Sequence, residues 1–322
     1  MALDPTFQEL NLLLYKTQSA LGTKQSSLVY TDFVTIGNDF ELKYSKEFAE
    51  QNLTQGIFGQ PQGVAGMSKI DAKITIPIIP TGSATLPNVD PFLMASGMAY
   101  TLATYKHSYA PSSVVSGWKD QTLWSYTGNK TSGDSILTKA HSIMFDWELS
   151  AEIGKESLMT FTGMGVPDGV PAAATYPTDA VSLLSTVPPA MLKNSTMTIN
   201  GLTLNILKFS VKIGNEVVLI KGASDESGYI QAMIVGRKST WTATAYMDNA
   251  SSNNPLTGMA AGTLATTTIK YGNATNSLVS VTSGSNKSEI IDCPMGNDGK
   301  IMTWDFSGKF VDNNFTLAIN DA

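Results

Sequence analysis

The scarcest reactive side chains in the sequence are His107, His141, Arg237 and Cys293, and they stand far apart. Metal binding by imidazole or thiolate needs partners at ligand spacing, and neither histidine has a second His or Cys nearby. Each reads as a satisfied or exposed histidine, and Cys293 as a small buried hydrophobe. One cysteine also excludes an intrachain disulfide. Asp146, Glu148 and Glu152 alternate along a strand-like stretch and so share a face. Paired carboxylates can do acid–base work, but three along one face read more simply as a solvated acidic stripe. Gly59 to Gly66, G-Q-P-Q-G-V-A-G, lacks the Gly-Lys-Ser/Thr ending and following helix of a phosphate cradle, and reads as part of a long loop. Ser132-Gly-Asp-Ser135 is not a nucleophile elbow, and Asp292, Asn297 and Asp298 miss calcium-loop spacing. The sequence therefore predicts no catalytic residues, no metal and no cofactor.

What must position so little chemistry is a scaffold. The chain has 322 residues, 42% hydrophobic, with net charge −6 and only 15% charged residues. Ser and Thr make up about a fifth. The basic side is all lysine except Arg237, whereas DNA-gripping surfaces favour arginine forks. No apolar run reaches the roughly 20 residues of a membrane helix, and the N-terminus lacks the pattern of a signal peptide. Seven N-x-S/T sites, among them Asn52, Asn194 and Asn314, fit chance in a chain rich in those residues.

Three segment pairs recur in order. V-T-I-G-N-D-F-E-L from Val34 matches V-K-I-G-N-E-V-V-L from Val211; alternation around Gly-Asn predicts a strand, tight turn and returning strand. P-F-L-M-A-S-G from Pro91 matches P-L-T-G-M-A-A-G from Pro255; Pro at the start and Gly past the end predict a short helix. W-E-L-S-A-E-I-G from Trp147 matches W-D-F-S-G-K-F-V from Trp304, each predicting a closing hairpin. A tandem duplication accounts for all three. The expected division is an N-terminal arm at 1–26, a first β domain at 27–165, a Pro-rich linker at 166–194 and a second β domain at 195–322.

At these residues the chain resembles the tail tube proteins of long-tailed bacteriophages. The opening Lys16-x-x-x-x-x-Gly22-Thr23, then I-P-I-I-P-T-G, N-V-D-P-F-L and A-S-G-M-A within Ile76–Thr101, carry the resemblance. Gly133-Asp-Ser135, Trp147–Gly163 and Ile234-Val-Gly-Arg237-Lys extend it over most of the chain. Two departures are a long Gln51–Met67 loop and a short counterpart around Ser224–Gly228. The resemblance implies a mainly β fold: two tandem antiparallel β-sandwich or barrel domains, each with a short flanking helix, whose strands join neighbours edge to edge around a channel.

The implied function is a structural subunit of stacked rings that conduct viral DNA, located in the virion tail and assembled in the bacterial cytoplasm. Partners would be further copies (a trimeric ring favoured over a hexamer, because two domains per chain give six positions) and other tail proteins at the tube ends. DNA would pass without specific binding past a neutral to acidic, Arg-poor wall, and no membrane is involved. Length, Gly/Gln composition and apolar residues make Gln55, Ile57, Phe58, Gln60, Gln62 and Val64 the expected ring-to-ring contacts. Alternatives are a tandem immunoglobulin-like adhesin, a tail hub or cap protein, and an all-β enzyme. The adhesin lacks a signal peptide and disulfide, and the enzyme lacks a triad or metal set.

Overall fold

The computed structural model describes residues 11–29, 32–34, 39–49, 64–128, 134–177, 187–199, 201–247, 254–273 and 277–321. In chain order the first half holds β1 (Asn11–Thr17), β2 (Phe33–Val34), β3 (Phe40–Ala49), β4 (Val64–Pro77), α1 (Asp90–Met94), β5 (Met98–Ala103), β6 (Lys106–Pro111), β7 (Gln121–Gly128), β8 (Asp134–Glu152), β9 (Leu158–Pro167) and β10 (Ala172–Thr175). The second holds β11 (Thr196–Ile199), β12 (Leu202–Leu204), β13 (Ile206–Lys212), β14 (Asn215–Lys221), β15 (Tyr229–Arg237), β16 (Thr240–Tyr246), α2 (Pro255–Ala260), β17 (Thr267–Gly272), β18 (Leu278–Ser283), β19 (Ser288–Asp292), β20 (Met295–Asp298), β21 (Ile301–Phe310) and β22 (Phe315–Asp321).

Period-two alternation drives these strands. In β16, Trp241, Ala243 and Ala245 are buried while Thr240 and Thr242 are exposed. Among the described residues the result is a 13-stranded sheet, a 7-stranded sheet and the two-stranded ribbon β14–β15. The large sheet contains one antiparallel run in the order β3-β4-β9-β8-β13-β16-β21-β19. The smaller sheet runs β12-β11-β17-β18-β22-β6-β5. Neither closes on itself among the described residues. Both cross from one half of the chain to the other, through β8 with β13 and through β6 with β22. One core spans Leu13 to Ile319, and across it Trp147 meets Phe315 edge-on at 6.0 Å.

Both helices form where Pro and Gly predict them. Pro91 lies in the first turn of α1 and Pro255 opens α2. Gly97 and Gly262 follow the helices at positive φ (68° and 62°), a conformation disfavoured for residues with a Cβ.

Other local expectations need correction. Gly214-Asn215 does not turn β13 back on itself: β13 pairs with β8 and β16, while β14 pairs with β15. The turn instead moves the chain from the large sheet into the ribbon. At Gly37-Asn38, which lies outside the described residues, the flanking strands also pair elsewhere, β2 with β1 and β3 with β4. β8 and β9 form the expected hairpin, but β21 and β22 do not. After a 3-10 turn at Val311–Asn313, β22 enters the smaller sheet between β18 and β6. In consequence Trp147 and Trp304 hold different places: Trp147 lies opposite Phe161 of β9, and Trp304 opposite Ala245 of β16. Val64 to Met67 belong to β4 rather than to a loop, because their pairing with β3 continues to Ala49. The Pro-rich 166–194 segment contributes β10, paired to β8, and buries Ala190 and Leu192. Leu12 to Leu14 of the N-terminal segment are buried in β1.

Gly214 is the tightest of the turn positions. Its φ is +67°, and a Cβ there would lie 2.1 Å from the Lys238 carbonyl oxygen. Gly214→Ala is expected to destabilise the protein by about 2–4 kcal/mol through backbone strain and the clash together. Equilibrium denaturation checks this; a change below about 0.5 kcal/mol would show that the turn relaxes freely.

Candidate assembly surface

The run of paired strands buries one face and presents the other, except where the β14–β15 ribbon covers Met144 of β8. Inward point Phe145, Trp147 and Leu149 of β8, Phe209 and Val211 of β13, and Trp304 and Phe306 of β21. Because paired residues point the same way, the outer positions line up in rows across both halves. One row is Thr75, Thr160, Glu148, Lys212, Thr240, Lys309, Glu289. The next is Ser150, Ser210, Thr242, Ser307, and a third is Glu152, Lys208, Thr244, Asp305.

These side chains satisfy one another sideways. Ser210 Oγ lies 3.0 Å from Thr242 Oγ1, Thr75 Oγ1 3.2 Å from Thr160 Oγ1, and the Thr244 hydroxyl donates to Asp305 Oδ1 at 2.7 Å. Lys212 sits 3.4 Å from Asp146, and Lys309 2.9 Å from Glu289. Burial pushes the Asp146 carboxyl above its usual range, opposed by the Asn215 amide and Lys212. The face is concave enough for two open grooves. One of about 960 Å³ lies over β8, β13, β16 and β21, and one of about 510 Å³ is lined by Glu41, Lys43, Asp71, Lys73 and Asp146.

Asp146, Glu148 and Glu152 do share a face, but the stripe is not simply acidic. Pairing with β13 places Lys212 opposite Glu148 and Lys208 opposite Glu152, giving alternating charge. Chemically the surface offers hydroxyls and ions, some of them paired, as Lys212 with Asp146 and Lys309 with Glu289.

Where the halves meet, the single arginine forms a hub. Arg237, on β15, donates to Asn215 Oδ1 (2.7 Å) and to the carbonyls of Ser96 and Gly97 (both 3.1 Å) and Ser112 (3.4 Å). Asn215 donates in turn to the Ser96 and Phe145 carbonyls at 2.8 and 2.9 Å. Sequence reasoning found both residues as parts of patterns, but no spacing showed that they meet the end of α1.

The expected ring-to-ring residues Gln55, Ile57, Phe58, Gln60 and Gln62 lie outside the described residues, and Val64 is the first residue of β4. Both histidines are buried with partners. His107 Nδ1 lies 3.0 Å from the Tyr100 hydroxyl and Nε2 3.0 Å from the Ser83 carbonyl; since a carbonyl only accepts, Nε2 carries the proton. His141 Nδ1 lies 3.0 Å from Ser142 Oγ, and burial lowers its pKa. Cys293 is buried, and burial pushes its thiol up to about 12. Among the described residues no three His, Cys, Asp or Glu side chains cluster as a metal site. No protein-family model matches the chain, and no curated protein matches it.

Proposed function

We propose that the chain is a non-enzymatic structural subunit of a bacteriophage-type tail tube, a ring former whose open sheet face lines a channel for viral DNA. The observation that carries this is the set of hydroxyl-and-charge rows that cross both halves from β4 through β9, β8, β13, β16 and β21 to β19; among the described residues the run ends in β3 and β19, with Ser288 of β19 bridged to Ala265 on its outer side. Unpaired edges are a liability unless matched, and head-to-tail contacts close into rings when the rotation allows. Eight is an even number. Rotation of one copy about an axis along the strands therefore sets β19 beside the next β3 antiparallel, continuing the ladder. Three copies would supply 24 strands, and at ~4.8 Å spacing and ~40° tilt a barrel of that number is roughly 45–50 Å across its backbone. That width admits a DNA duplex. Side chains that pair with each other leave few donors for phosphate, which suits transit without gripping. Rings would stack, join other tail proteins at the tube ends, and assemble in the bacterial cytoplasm before residing in the virion tail.

Negative-stain images of purified protein should show rings or tubes, with three-fold symmetry in cross-section. Six full-length chains per ring would overturn the trimer. Monodisperse monomers at high concentration would overturn the tube.

A further inference from the structure

We infer that His141 is a pH-sensing latch beneath the turn of the β14–β15 ribbon: the turn stays closed while the imidazole is neutral and lifts when the imidazole takes up a proton. The latch does not depend on ring assembly. It is built on an irregularity in β8, whose register against β9 shifts between His141 and Met144. Within that shift the buried Ser142 has φ +52°, a conformation sparsely populated by residues with a Cβ. Bulges re-aim side chains. This one sets His141 in a cleft of about 170 Å³, where the residue is 6% exposed and its Nδ1 lies 3.0 Å from Ser142 Oγ.

Charged groups reach the cleft from several elements. Lys24 comes from the segment after β1, Tyr44 and Lys46 from β3, Asp168 from the residues after β9, and Asp225 and Glu226 from the ribbon turn, while β4 supplies Ser68. Behind the bulge, the Ser142 hydroxyl favours the charged form of Asp120. On β8 itself, Lys139 lies over the Trp124 ring. Two of the carboxylates already have partners. Asp168 Oδ1 holds Lys24 at 2.7 Å, and Asp225 Oδ1 accepts the Ser227 amide at 2.8 Å. Burial accordingly lowers the His141 pKa, outweighing Asp225 and Asp168, and Lys24 adds to the effect. A proton held less tightly in the closed cleft than in water favours whichever conformation wets the ring.

The ribbon turn is the wall of the cleft free to move. At the ribbon root, Arg237 and Asn215 bond to the end of α1, and beyond it Ala232 and Ile234 pack on Trp118 and Met144. The turn bonds to itself, Gly222 to Gly228 and Gly228 to Asp225, and reaches the sheet where the Ser68 amide donates to the Ser227 carbonyl at 2.9 Å. A segment with so few outside bonds opens more readily than the core. The closed turn is therefore most secure above the ordinary histidine value of 6.5 and loosens as pH falls from there to the lowered value of His141.

Hydrogen–deuterium exchange of the full-length protein, with each rate referred to the unstructured rate at the same pH, tests the latch. The amides of Ser68 and of residues 222–228 should be at least about threefold less protected at pH 5 than at pH 8, while those around Arg237 stay unchanged. His141→Gln, which cannot take the proton, should give the same protection at both pH values, and so separates His141 from Asp120 and the other carboxylates. If that variant does not fold, the native protein still decides. Slow exchange at the His141 ring carbon Cε1 reports its pKa, and the loss of protection must develop between about 6.5 and that value. Protection of the turn that ignores pH, that changes equally in His141→Gln, or that changes outside that interval would overturn the latch.

Discussion

Arg237→Ala is expected to lower the stability of the chain by about 2–4 kcal/mol, read as a shift in denaturant midpoint at unchanged slope. The guanidinium serves four acceptors at once, three of them main-chain carbonyls at the end of α1 and after β6. Truncation takes the guanidinium donor from Asn215 Oδ1 and one of two donors from each carbonyl, which keep the Asn215 side-chain amide, the Ser112 N–H and the Trp118 indole, and an under-satisfied polar group in a half-buried site costs more than the bond gained. Burial already pulls the Arg237 pKa down to about 10, with the Asp146 carboxylate opposing, so the side chain stays charged at neutral pH. Lysine restores the charge but not the planar fork, and Arg237→Lys should recover less than half of the loss. A cost below about 0.5 kcal/mol for the alanine variant would mean that the paired strands alone hold the halves together.

That hub also shows where sequence reasoning stops. The strands of the large sheet are legible because Thr-Trp-Thr-Ala-Thr-Ala in β16, or Trp-Glu-Leu-Ser-Ala-Glu in β8, states which side is wet. The helices are legible because Pro and Gly bracket them. Partner choice is not legible, because alternation says nothing of which strand lies alongside. Gly214-Asn215 carries the composition of a hairpin turn, yet the side chain of Asn215 is used 119 residues away, on the Ser96 carbonyl. The same gap separated Glu148 from Lys212. A carboxylate row on one strand looked acidic until β13 placed Lys212 and Lys208 alongside it, with Lys212 3.4 Å from Asp146. The three recurring segments were legible in the sequence, but the strands they open pair differently in the two halves, since β9 inserts between β4 and β8 while β22 leaves for the other sheet.

Under the tube proposal, those pairings would have to make a channel wall both rigid and non-adhesive. Rigidity comes from the buried side of the run, where large aromatic residues fill the space between sheets. Trp241 packs so closely on Gly308 that a Cβ there would lie 2.3 Å from the indole ring. The proposed weak adhesion would come from the other side, where hydroxyl side chains bond sideways and lysines alternate with carboxylates. Because residues alternate along each strand, one sequence pattern sets both properties, and a one-residue slip of any strand would exchange them.

Asp120→Asn should make the protein more stable at pH 7 and leave it unchanged near pH 3. Asp120 is fully buried where β1 approaches β7. Its Oδ2 accepts the Gly22 amide at 2.8 Å, while Oδ1 has no hydrogen-bond partner among the described residues. Burial pushes the carboxyl up to about 6, against the opposing effects of Gly22, Ser142 and Lys119. The folded state therefore holds the proton more tightly than the unfolded chain, whose carboxyl titrates near its ordinary value of 3.8. Between these values the unfolded state loses its proton first, so stability falls as pH rises from about 4 to about 6 and levels off above. A shift of this size corresponds to roughly 2–3 kcal/mol at neutral pH. Asparagine keeps an acceptor for Gly22 and has no proton to lose. Other carboxylates titrate in the same window, so the quantity to follow is the difference between native and variant stabilities. It should grow from near zero at about pH 3 to its full value above about pH 6. A difference that stays constant across that range would show that the buried carboxyl is not the group being titrated.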